Sequence, residues 1–126
     1  MSLYQGPRSV MKIADRNSWK NSPPPTEREE FKVAWTFPTA MGARMTAGHI
    51  PEGMDDRWFI LMDDGWLLFH RSWTGSCIFG LKVNDQPEGI SISEGWVSRK
   101  AEEYSSTDIE NDIDLAERLL NDYFRL

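Results

Sequence analysis

Two apolar runs, Trp58-Phe-Ile-Leu-Met62 and Trp66-Leu-Leu-Phe69, meet at Asp64-Gly65 and then give way to the polar string His70-Arg-Ser-Trp-Thr-Gly75. An Asp-Gly pair between strand-forming runs predicts a β-hairpin, because a type I′ turn needs positive φ at both central residues. With Asp64 and Gly65 as the turn, Met62 faces Leu67, Ile60 faces Phe69 and Trp58 faces Arg71, while Leu61 faces Leu68 and Phe59 faces His70. Both faces of the stem are then apolar near the turn. Strands solvated on one side alternate cleanly, so continuous apolar runs predict cover on both faces. The C-terminal helix is one candidate cover; the N-terminal arm, the long loop after the first strand or a second subunit is the other. The last of these makes the chain a candidate homodimer.

Elsewhere the periods are simpler. Phe31, Val33, Trp35 and Phe37 alternate on one face of a predicted first strand closed by Pro38. Residues 38–56 hold Gly42, Gly48, Pro51 and Gly53 without a sustained period and read as a long loop. A third strand over Cys77–Val83 places Cys77, Phe79, Leu81 and Val83 on one side, and the turn formers from Asn84 to Gly89 end it. Ile90–Ser93 and Trp96–Arg99 predict a further strand or pair, broken at Glu94-Gly95 by a turn or bulge. From residue 108 the period changes. Ile109, Ile113, Ala116, Leu120 and Phe124 form a helical stripe, Thr107 with Glu110 matches a capping box, and the remaining charges read as a solvated outer face.

Together these elements predict a single α+β domain. It has an antiparallel meander of four or five strands, with one amphipathic helix at 107–125 packed on one face. Residues 1–30, with Ser22-Pro-Pro-Pro25, read as an arm that is partly flexible or draped over a β-rich body at 31–104.

Composition narrows the function classes. A chain of 126 residues with six Trp, six Phe and three Tyr can bury one core without staples, and a lone Cys77 forms no internal disulfide. That points to a reducing, cytoplasmic setting. No apolar stretch approaches the roughly 20 residues of a membrane span, so no membrane is expected. Net charge is −6, and all of the excess lies beyond residue 101, where eight acids face Arg118 and Arg125. That field opposes nucleic-acid binding, which draws on phosphate neutralisation.

Candidate chemistry concentrates at the end of the hairpin. His70 and Ser72 share one face of a strand with Arg71 and Trp73 on the other, and Arg57 lies near Ser72 in the register. As a binding pocket, Arg71 and Arg57 take an anionic group, Trp73 stacks on a flat ring and the Ser72 and Thr74 hydroxyls orient it. As fold chemistry, Arg71 stacks on Trp58 while Ser72 and Thr74 satisfy turn backbone. Arg99 is a third candidate anion clamp. No catalytic residue emerges, since Ser72 and His70 stand about 7 Å apart on a strand and no nucleophile elbow exists. No metal ligand set or cofactor motif emerges either, and Asp55-Asp56 and Asp63-Asp64 read as turn residues. His49 reads as an exposed loop histidine and Cys77 as a buried hydrophobe.

The strings Arg57-Trp-Phe59, Leu68-Phe-His-Arg-Ser-Trp-Thr-Gly75 and Trp96-Val-Ser-Arg99 resemble a poorly characterised group of small bacterial proteins, related segments of which occur beside ADP-ribosylglycohydrolase-type enzymes. The resemblance covers roughly residues 50–125. It implies a link to nucleotide or ADP-ribose metabolism and transfers no catalytic role to any residue. The leading expectation is therefore a noncatalytic binding or interaction module with a protein partner or small nucleotide-like ligand. The rival is an enzyme on a phosphate-bearing nucleotide, with Arg57, Arg71 and Arg99 as clamps and His49 or His70 as acid or base.

Overall fold

The Asp64-Gly65 turn sets the frame on which the rest assembles. In the computed structural model, which describes residues 12–53 and 55–125, Asp64 and Gly65 take φ values of 52° and 83°. They join β2 (Trp58–Asp63) to β3 (Trp66–Arg71) in the register expected from sequence, Trp58 against Arg71 through Met62 against Leu67. β4 (Cys77–Gln86) and β5 (Gly89–Ser98) continue the meander, and β1 (Arg28–Phe37) pairs with β5 at its far edge. The result is a five-stranded antiparallel sheet in the order β1-β5-β4-β3-β2. With its helices it is an α+β fold.

Helices cover one face. The chain expected to be loop at 38–56 contains α1 (Thr39–Ala47), bounded by Pro38 and by Gly48 at φ 71°. Met41 and Met45, four apart, turn inward against Phe37 and Ile90. Gly42 defeats a periodicity search, yet it lets the helix lie close to the sheet: a Cβ there would come 2.8 Å from Ile90 Cδ1, and that side chain would have to shift. α2 (Ile109–Phe124) adds Ala116, Leu119, Leu120 and Phe124 to the same core. Its N-cap is Asp108, whose carboxylate accepts the amides of Glu110 and Asn111, one residue later than the Thr107 capping box anticipated.

The second face is covered by the arm. Ala14 and Trp19 pack on Phe59 and Leu61, the Trp19 indole donates to the Ser72 carbonyl at 2.7 Å and Arg16 reaches Asp63 at 2.6 Å. From Ala14 to Ser22 the arm is therefore draped; residues 1–11 lie outside the described part. Farther along this face Trp96 lies on Gly80, where a Cβ would come within 2.4 Å of the indole, and joins Leu68 and Cys77. Cys77 is thus on the face opposite Phe79. The expected alternation fails because a bulge puts two steps of β4, Cys77 to Phe79, against one step of β3, His70 to Phe69. Ile90–Ser98 forms one strand, with register shifts opposite Leu81–Val83 and Lys32–Trp35.

His70 belongs to this arm-covered layer. It is fully buried, 5.4 Å from the Phe59 ring, with Nδ1 3.2 Å from the Phe59 carbonyl. Burial lowers its pKa from 6.5 to about 4, against a smaller opposing effect of the Phe59 carbonyl. The folded state therefore prefers the neutral ring. The stabilisation is complete above pH 6.5 and drains away as pH falls through 6.5 towards 4. Between pH 7 and 5 the His70 contribution is expected to fall by about 2 kcal/mol. Urea unfolding of the wild type and His70→Gln at both values checks it: the two should lose different amounts of stability, and parallel losses would refute the assignment.

Candidate functional site

Where the hairpin ends, three loops meet over the edge of the helical face. A cleft of about 630 Å³ is lined by Asp55 and Arg57 before β2, Arg71 at the end of β3, Trp73 and Thr74 after it, and Glu103 before α2. Four of the seven residues singled out from sequence, Arg57, Arg71, Trp73 and Thr74, therefore share one concavity. Its volume falls in the range of small-molecule sites.

The Arg71 guanidinium sits 4.9 Å over the Trp58 ring and 5.8 Å over Tyr104. Both rings hold it by cation–π attraction. Among the described residues no carboxylate or other side-chain acceptor bonds to it, although it is half-buried. Tyr104 stays a neutral phenol, since burial and then the Asp112 carboxylate push its pKa up to about 12. Trp73 stands 64% exposed on the rim, while its loop is pinned from behind: Lys20 donates to the Trp73 carbonyl at 2.9 Å, and the Ser22 amide donates to Gly75 at 2.8 Å. On the other side of Trp73 a smaller hollow of about 140 Å³ adjoins Trp19, Lys20 and Gly53.

The other three candidates lie elsewhere or serve the loop. Ser72 is buried and donates from Oγ to the Asp56 carbonyl at 2.6 Å, while its amide donates to Arg57. Thr74, though on the cleft wall, also accepts the Ser76 amide at 3.2 Å. His70 lies beneath the arm, closed to solvent, where it has no access to a ligand in the cleft. Arg99 does not line the cleft and is engaged with Asp112 and Glu29, both at 2.8 Å, and with the Ser106 carbonyl. The three arginines accordingly do not converge.

Two residues emerge with roles not read from sequence. Asp112, expected among solvated helix charges, is 1% exposed and accepts from Tyr104 and Ser106 at 2.6 and 2.8 Å besides pairing with Arg99. It fastens the segment carrying Glu103 and Tyr104. His49, expected exposed, is half-buried: Nε2 lies 2.5 Å from an Asp56 oxygen, and its ring is 4.5 Å from Tyr123, whose hydroxyl donates to the other oxygen at 3.0 Å. Asp56, read as a turn residue, thereby ties α2 to the loop bearing Asp55 and Arg57. Burial, followed by the Asp56 carboxylate, raises the Tyr123 pKa. The Tyr123–Asp56 bond has no local signal, because the two residues are 67 apart.

Cys77 is buried, and burial pushes its thiol up to about 12, an unreactive state. Among the described residues no group of three His, Cys, Asp or Glu side chains is arranged to hold a metal, and no helix is long and apolar enough to cross a membrane. Searches against family models, curated proteins and solved structures find no match to this chain.

Removing the Asp112 carboxylate leaves Arg99 with Glu29 alone and takes the acceptor from the Tyr104 and Ser106 hydroxyls. Asp112→Ala is therefore expected to cost about 3 kcal/mol or more in urea unfolding, Arg99 being only 17% exposed. A cost below about 1 kcal/mol would mean that the pair is solvated like a surface bridge.

Proposed function

We propose that the protein is a noncatalytic binding module whose ligand seats in the Arg57–Arg71–Trp73–Thr74 cleft. The observation that carries this reading is Arg71. A guanidinium fixed in place with its donors still open to the cleft is ready to take a planar anion, because its fork matches carboxylate and phosphate oxygens. Here two aromatic faces hold it, and no acceptor among the described residues takes its donors. A carboxylate or phosphate in the cleft would complete that bonding. Trp73 supplies a large flat surface at the same opening, of the kind that anchors flat ligand groups.

The placement of the histidines supports a binding role over turnover. His70 is closed off, and the one His49 nitrogen with a hydrogen-bond partner faces Asp56, in a cluster whose members brace a loop. An enzyme using His70 as acid or base would need it at the cleft.

A fragment screen read by the Trp73 indole N–H resonance tests the site. Ligands that shift it should, by calorimetry, bind Arg71→Gln and Trp73→Ala at least about tenfold more weakly, the equivalent of one well-formed charged contact. Wild-type affinity in both folded variants would remove the cleft as the binding site.

A further inference from the structure

The charges around the cleft say more than that an anion binds. Arg57 and Arg71 are balanced by Asp55 and Glu103 on the same lining, so the cavity carries both signs and little net charge. These opposite charges do not pair with one another: Glu103 contacts Lys100 at 3.5 Å, and neither arginine forms a salt bridge among the described residues. Charges of both signs held in one hollow without pairing across it form a dipolar site. Such a site favours a ligand with the complementary dipole, since each end then meets its opposite. A polyphosphate meets two carboxylates there and a chain already at −6.

Resting on the binding role proposed above, we infer that the cleft takes a small zwitterion, with a carboxylate seated on Arg71 and a cationic group near Asp55, Glu103 and the Trp73 face. The carboxylate matches the guanidinium fork in bidentate fashion. A planar or soft cation, such as a guanidinium or alkylammonium, gains from the exposed indole as well as from the acids. The volume of about 630 Å³ accommodates a molecule of this kind.

Four probes on the full chain separate the contributions by calorimetry and by indole N–H shifts: γ-guanidinobutyrate, butyrate, butylguanidinium and ADP. The zwitterion should bind at least about tenfold more tightly than either half-molecule and more tightly than ADP. Arg71→Gln should reduce it to the affinity of butylguanidinium, and Asp55→Asn with Glu103→Gln to that of butyrate. Butyrate matching the zwitterion, or ADP exceeding it with the Asp55→Asn/Glu103→Gln variant unaffected, overturns the zwitterion while leaving an anion site at Arg71 standing. Zwitterion binding insensitive to Arg71→Gln overturns the site itself, and no binding of any probe overturns the ligand class.

Discussion

A hairpin apolar on both sides cannot face water on either, and this constraint organises the molecule. Trp58, Ile60, Leu67 and Phe69 fill the helical side, while Phe59, Leu61, Leu68 and His70 point the other way. Burying each large side chain contributes on the order of 2 kcal/mol, so leaving either face open would forfeit several such contributions. The helices close the first face. A short segment from Ala14 to Ser22, too short for a regular layer, covers Phe59 and Leu61 on the second with Ala14 and Trp19, helped by Ile50, and bonds to the hairpin's loop, while Trp96 covers Leu68 and Cys77.

That economy ties the cleft to the core. The arm bonds to Ser72, Trp73 and Gly75 through backbone carbonyls, and the Asp56 cluster and the Asp112 pair hold the two remaining cleft walls. The exposed side chains Arg57, Trp73 and Thr74 thus stand on loops whose backbones are fixed from beneath. Buried polar groups bonded in this way favour one arrangement of the chain above them. Preorganisation of that sort lowers the ordering cost of binding, which is the physical sense in which a small rigid module suits recognition.

The local features were legible in the sequence and the long-range ones were not. Asp64-Gly65 dictated the hairpin register, and the demand for cover on both faces followed from the apolar runs alone. Four cleft residues could be named because polar side chains cluster where the runs stop. α1 escaped because Gly42, packed close against Ile90, reads locally as a breaker. Cys77 was assigned to the wrong face because a bulge carries no alternation signal. Arg99 pairs with Glu29, 70 residues away, and the Asp56 carboxylate that His49 contacts also takes the Tyr123 hydroxyl, 67 residues away. Pairings across such separations follow from topology, here the addition of β1 beside β5 and the return of α2 over the hairpin.

Native-state hydrogen exchange on the full chain, comparing wild type with Trp19→Ala, tests the central claim most directly. If the arm is the structural cover of the hairpin and the brace of its loop, amides of β2, β3 and residues 72–76 should exchange at least about tenfold faster in the variant, while those of β1 and α2 change less. Equal protection of the hairpin in both proteins would contradict the account.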